Sequence, residues 1–215
     1  MALADTTVFL DFDGTISTVD VTEHLLERLG APEWCELYAD FTRGAITSRE
    51  RLYDAWDMIA ADEATLRAVA AEVPLDPSFG ALVHDLRAAG AEVVIVADDF
   101  GFYVEPVAAA RGLEVLTNEI DFATGRLRLP HASRCCPCSS CGVCKQAPIK
   151  DAQYVGRRAV LVGSRVSDRK ASLLADVVFA KDELAEWCVA FGVEFTPFRT
   201  LADVHAVLLA VEVGR

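Results

Sequence analysis

Thr7-Val8-Phe9-Leu10-Asp11-Phe12-Asp13-Gly14-Thr15 is the stretch whose reading decides the fold. Val8 to Leu10 is an unbroken apolar, β-prone run, which predicts a strand buried on both faces of a parallel sheet. It ends at two carboxylates two residues apart, Asp11 and Asp13, which share one face on a regular strand. Gly14 and Thr15 then turn the chain and offer backbone N–H groups. Ligands of open α/β sheets bind outside the carboxyl ends of the strands, so the two acids stand where chemistry is expected. Such a pair can share a divalent cation, and one carboxylate can attack as a nucleophile while the other moves a proton. The structural alternative is an acidic loop that caps the next helix.

Beyond Thr15 four helical patterns fill residues 18 to 73, with little strand signal. Val21, Leu25, Leu26 and Leu29 share the first face, behind Asp20 or Thr22 as cap. Trp34, Leu37, Tyr38 and Phe41 share the second. Leu52, Trp56 and Ile59 share the third, behind Thr47 or Ser48. Leu66 and Val69 follow Asp62. A single crossover between parallel strands needs only about a dozen residues. The excess predicts a small all-α cap, 18–73, inserted after the first strand of a core made of 1–17 and 74–215, and able to close over the site. The core alternates helix and strand: a helix from Asp76 to Ala89, a strand from Glu92 to Ala97, a helix near 103–111, and a strand from Leu113 to Leu116. A hairpin from Ile120 to Leu129, a helix carrying Lys145 and Lys150, strands at Ala159–Val162 and Val177–Ala180, and helices near 183–190 and from Leu201 complete it. The fold class is α/β, a Rossmann-like parallel sheet sandwiched by helices.

A net charge of −13 over 215 residues argues against a nucleic-acid binder, which needs a basic footprint. No apolar run approaches the ~20 residues of a membrane span. Met1 to Asp5 lacks the basic and apolar regions of a secretory signal, so a cytoplasmic location is expected. Five of the seven cysteines fall in the window 135–144. In a reducing compartment that clustering points to a metal site or reactive thiols before disulfides. Cys138, Cys141 and Cys144, with Cys135 or Cys136 as a fourth thiolate, have the chemistry of a structural Zn2+ site, and His131 is a weaker candidate ligand. Free thiols in a loop are the alternative. Cys35 and Cys188 are expected in the core.

The string Asp11-Phe12-Asp13-Gly14-Thr15-Ile16 resembles the first motif of the haloacid dehalogenase superfamily. Pro32-Glu33-Trp34, Pro130-His131, Cys141-Gly142-Val143-Cys144-Lys145, Val166-Ser167-Asp168 and Val178-Phe179-Ala180-Lys181-Asp182 extend the likeness. Together they resemble the phosphoserine-phosphatase-like branch, and within it the methionine-salvage phosphatases that act on 2-hydroxy-3-keto-5-methylthiopentenyl-1-phosphate. The resemblance implies a Mg2+-dependent phosphatase of a small phosphorylated metabolite. It implies Asp11 as nucleophile, Asp13 as general acid and base, and Mg2+ on the Asp11 carboxylate and the Asp13 carbonyl. It implies Lys145, with Lys150 as the fallback, as the cation that faces the phosphate. Gly14, Thr15 and the backbone at Ala97 and Asp98 are then expected to bind substrate.

The departures from the family pattern cluster. Ala97 stands where a Ser or Thr hydroxyl is expected, and Asp98 and Asp99 add negative charge there unless they cap a helix. Ser164 replaces the first acid of the Gly-Asp-x-x-x-Asp motif, read here as Gly163 to Asp168. Asp168 remains to hold a metal-bound water or to pair with Lys145. Arg165 either partly replaces the missing cation, since a guanidinium binds phosphate bidentately, or makes the metal site nonfunctional. Two further function readings stand beside hydrolysis: a catalytically silent relative that binds a ligand or protein, and phosphoryl transfer to an acceptor.

Overall fold

The first strand, β1 (Thr6–Leu10), is buried along its whole length. It lies at the centre of a sheet with parallel neighbours on both edges. Val8 and Leu10 pack into one layer and Phe9 into the other, which is why its apolar run is continuous rather than alternating. The computed structural model describes residues 3–132 and 140–213.

After β1 come four helices, α1 (Val21–Leu29), α2 (Trp34–Thr42), α3 (Ser48–Met58) and α4 (Glu63–Ala70). The chain continues through α5 (Phe79–Ala88), β2 (Glu92–Phe100), α6 (Gly101–Ala109), β3 (Glu114–Asp121), β4 (Arg126–Arg128) and α7 (Gln146–Tyr154). It ends with β5 (Arg158–Gly163), the short α8 (Arg169–Ser172), β6 (Val177–Ala180), α9 (Asp182–Phe191), β7 (Thr196–Pro197) and α10 (Leu201–Val213). The sheet order is β4-β3-β2-β1-β5-β6-β7, and β4 alone among the described strands runs antiparallel to its neighbour. The chain builds outward from β1 through β2 and β3, then returns to place β5 on the other edge of β1. That reversal opens a crevice at the carboxyl end of β1 and β5.

Three of these four helices, α1, α3 and α4, start where side chains satisfy their free N–H groups; α2 has no side-chain cap. Asp20 accepts from Glu23 N at 2.8 Å, Asp62 accepts from Thr65 N at 2.8 Å, and Thr47 and Glu50 form a reciprocal capping box. α1 packs on α4 and α2 on α3. An antiparallel bridge between Ser17 and Leu75 draws together the chain entering and leaving this segment.

Two expectations are corrected. The strand expected to stop at Ala97 runs on through Asp98 and Asp99 to Phe100, so α6 starts at Gly101. Phe100 is fully buried against Trp56 and Phe102, and a register shift between Val96 and Phe100 accommodates the extra length. Cys35, expected in the core, is exposed. It sits off the α2 stripe whose buried members are Leu37 and Phe41. Cys188 is buried as expected.

Candidate active site

Asp11 follows directly on β1, and its backbone N–H donates to Val162 O of β5 at 3.0 Å. The turn at Gly14 needs a left-handed backbone, φ +72°, which glycine adopts without steric cost. The N–H groups expected to meet a ligand are spent inside this turn. Gly14 N donates to Ser17 Oγ at 3.1 Å and Thr15 N to Phe12 O at 3.0 Å. A side chain at Gly14 would also crowd Ser164 Oγ at 3.1 Å and Arg165 Nε at 3.3 Å, so the ends of β1 and β5 are in close contact.

Lys145, at the start of α7, brings the acids together. Its buried Nζ donates to Asp11 Oδ1 at 2.5 Å and to Asp168 Oδ1 at 2.8 Å. The other Asp168 oxygen accepts from Ser164 N at 3.0 Å and Arg165 N at 3.2 Å. Gly163 is required here, because a Cβ would lie 2.4 Å from that carboxylate. Burial opposes the charge on Lys145, but Asp11 and Asp168 outweigh it and hold the ammonium protonated. Burial pushes the Asp11 carboxyl well above the usual carboxylate range, Asp168 adds to the rise, and Lys145 opposes it.

Asp13 is buried beside Asp11. Its Oδ2 accepts from Tyr103 OH at 2.9 Å and Thr22 N at 3.3 Å, while Oδ1 accepts no hydrogen bond among the described residues. Burial, and then repulsion from Asp99 and Asp20, raise its carboxyl well above the usual range. Asp13 therefore keeps a proton at pH values where an exposed carboxyl has lost it.

Asp98 and Asp99 cap no helix. Asp98 accepts from Ser48 Oγ of α3, from Val143 N at 2.7 Å and from Asn118 Nδ2 at 3.3 Å. Asp99 faces the buried Arg51 of α3 at 3.6 Å. Ala97 is fully buried within β2 and joins the core. Arg165 donates to Glu23 at 2.8 Å and to Tyr38 OH at 2.6 Å, and Tyr38 in turn donates to Glu183 at 2.6 Å. The cavity over the aspartates, lined by Asp11, Asp13, Arg51, Asp99, Arg165 and Tyr38 among others, measures about 10 Å3, room for one water at most.

Arg51, Tyr103, Asn118 and Ser48 were not legible as site residues. No spacing marks them, and each reaches the site only through the packing of its element. Arg51 is the one with a faint signal, a cation beside Leu52 on the inner side of a helix.

Burial and the neighbouring Asp20 raise the Asp99 carboxyl to about 7, with Arg51 and Lys145 opposing. A folded-state value above the unfolded one means that this acid favours folding at low pH. The contribution is complete below about pH 4 and is lost as pH rises through about 7. Asp99→Asn is therefore expected to melt roughly 5 °C above the parent protein at pH 8, with the gain shrinking toward pH 5. Thermal melts at the two pH values check this; an equal difference at both would contradict it.

The metal expectation can be tested against the donors present. The family position offers one carboxylate oxygen, Asp11 Oδ2, the Asp13 carbonyl and the neutral Ser164 hydroxyl. Ser164 Oγ already donates to Asp13 O at 3.3 Å, and Thr15 Oγ1 lies 3.3 Å from Asp11 Oδ2 and 3.1 Å from Ser164 Oγ. Among the described residues no group of three or more His, Cys, Asp or Glu is placed to hold a metal ion. This donor set does not fit a hard dication that relies on carboxylates. The zinc expectation falls largely outside the described residues, at Cys135, Cys136 and Cys138. Of the rest, Cys141 is half-buried and Cys144 is buried, with its N–H bonded to His131 O at 3.0 Å; no zinc site is supported among the described residues.

Residues 8–172 match the haloacid dehalogenase-like hydrolases. A 2-hydroxy-3-keto-5-methylthiopentenyl-1-phosphate phosphatase of Exiguobacterium sp. is 27% identical over 97% of this chain and 99% of its own. The phosphatase of the same name from Brevibacillus brevis is 24% identical over 95% of this chain and 96% of its own. Among solved structures, phosphoserine phosphatase from T. onnurineus superposes with a TM-score of 0.73 at 20% identity, covering 96% of this chain and 95% of that one. With the family matched over most of its length and the fold shared with phosphoserine phosphatases, this chain belongs to the haloacid dehalogenase-like hydrolases.

Proposed function

We propose that the protein is a phosphatase that hydrolyses a small phosphate monoester through an aspartyl-phosphate at Asp11. The observation that carries this reading is Lys145, bridging Asp11 and Asp168, together with a buried Asp13 oxygen that accepts no hydrogen bond among the described residues. The Asp11 carboxylate attacks phosphorus, and the bond from phosphorus to the leaving oxygen breaks. Asp13, kept protonated by burial, gives its proton to that oxygen. It then takes a proton from water, which attacks phosphorus, releases phosphate and restores Asp11. Lys145 favours the ionised nucleophile and offsets charge on the transferring group.

Residues 18–73 act in this reading as a cap. Glu23, Tyr38, Ser48 and Arg51 tie it to the core through Arg165, Glu183, Asp98 and Asp99. A 10 Å3 cavity admits no phosphate ester, so these ties open to let substrate enter and close to exclude water. The relatives' substrate, 2-hydroxy-3-keto-5-methylthiopentenyl-1-phosphate, is the first member of the panel on which phosphate release is measured. The same closed cavity, filled by the chain's own charged side chains, favours one second reading: binding without turnover, in which no member of that panel releases phosphate.

A further inference from the structure

The family position for a divalent cation is occupied in this chain by hydrogen-bonded hydroxyls and flanked by fixed positive charge. Thr15 and Ser164 span the gap between Asp11 and the Asp13 carbonyl. Asp168, the acid that remains in the Gly163–Asp168 string, has both oxygens engaged: one takes Lys145 and the other takes two backbone N–H groups. Arg165 lies across the Gly14 turn, where a Cβ would meet its Nε at 3.3 Å, and it lines the same cavity as Asp11 and Asp13.

We infer that this site holds no resident Mg2+, and that Lys145 and Arg165 supply the positive charge that a metal ion gives elsewhere. A Mg2+ ion needs near-octahedral oxygen ligation and sheds its water reluctantly, so one carboxylate, one carbonyl and one neutral hydroxyl are a poor exchange for hydration. The Arg51 and Arg165 guanidiniums that line the cavity, and the Lys145 ammonium bonded to Asp11, already neutralise carboxylates there and repel a dication. In the reaction, Arg165 faces the phosphoryl oxygens with a planar fork of donors, the geometry suited to phosphate. The chemistry of this proposal rests on Asp11 as nucleophile; the prediction about metal binding does not.

The test is the melting temperature of the whole protein in millimolar MgCl2 against NaCl of equal ionic strength. It is run beside Ser164→Asp and the double variant Ser164→Asp with Arg165→Ser. The parent protein is expected to show no shift. At least one variant, having regained a carboxylate, is expected to rise by about 5 °C in a saturable way. A saturable rise in the parent that disappears in Asp11→Asn overturns the inference. Absence of a rise in both variants, with circular dichroism showing them folded, overturns the assignment to Ser164 and Arg165. Where the parent releases phosphate, that rate is expected to be unchanged by chelator. A rate lost to chelator and restored by Mg2+ overturns the metal inference and leaves the nucleophile standing. No release at all, with no thermal response to Mg2+, counts against the phosphatase reading and leaves the metal inference in place.

Discussion

Asp11→Asn stops phosphate release, by about four orders of magnitude or more, the scale for losing a covalent nucleophile. An amide oxygen does not attack phosphorus at a useful rate, and no other described carboxylate stands in its place: Asp168 is pinned by Lys145 and two amides. The fold survives the change. Asparagine keeps the shape, its oxygen still accepts from Lys145, and its amide can donate to Thr15 Oγ1, now 3.3 Å from Asp11 Oδ2. Because burial and Asp168 push the Asp11 carboxyl upward, removing its charge does not lower the melting temperature at pH 8. Release assays and thermal melts on one preparation check both halves. Unchanged turnover in the variant rejects the covalent route.

Lys145→Met costs both stability and rate. Lys145 is 4% exposed and is the only described cation hydrogen-bonded to Asp11 and Asp168. Removing it leaves two buried carboxylates facing each other, a loss of about 3–5 kcal/mol when both are ionised. Asp11 can recover by binding a proton, which burial already favours. The deficit is therefore largest at pH 8 and shrinks as pH falls toward 5. Turnover falls by about 10²–10³, the scale for losing one preorganised charge at a transition state. Denaturant titrations at pH 5 and pH 8 measure the first effect. An equal loss at both pH values would show that Lys145 acts by packing rather than by charge.

These two residues were legible in the sequence for different reasons. Asp11 ends an apolar run that only a central parallel strand explains, so strand, turn and acid are one local signal. Lys145 was readable only through the Cys-Gly-x-Cys-Lys string; its pairing with Asp168 was one of two roles expected for that acid, and it is the one the structure shows. The helices α1, α3 and α4 were legible because period and cap coincide at Asp20, Thr47 and Asp62, and α2 from its apolar stripe alone. The end of β2 was not. Asp98 and Asp99 look like punctuation, yet they are held inside a strand by Ser48, Asn118, Val143 and Arg51. Those partners are supplied by tertiary packing alone, which overrides local preference at a polar strand end. Ser164 could be read as a lost acid. That its hydroxyl would close onto the Asp13 carbonyl required the structure.

The most direct measurement is to trap the acyl phosphate. The protein is mixed with a phosphate monoester it turns over, quenched, and reduced with borohydride, which converts an aspartyl-phosphate to homoserine. The peptide carrying Asp11 is then read by mass spectrometry. Homoserine at residue 11, formed only with substrate and absent in Asp11→Asn, is the predicted result. Phosphate release with residue 11 recovered as aspartate throughout, and with Asp11→Asn still active, would contradict the account.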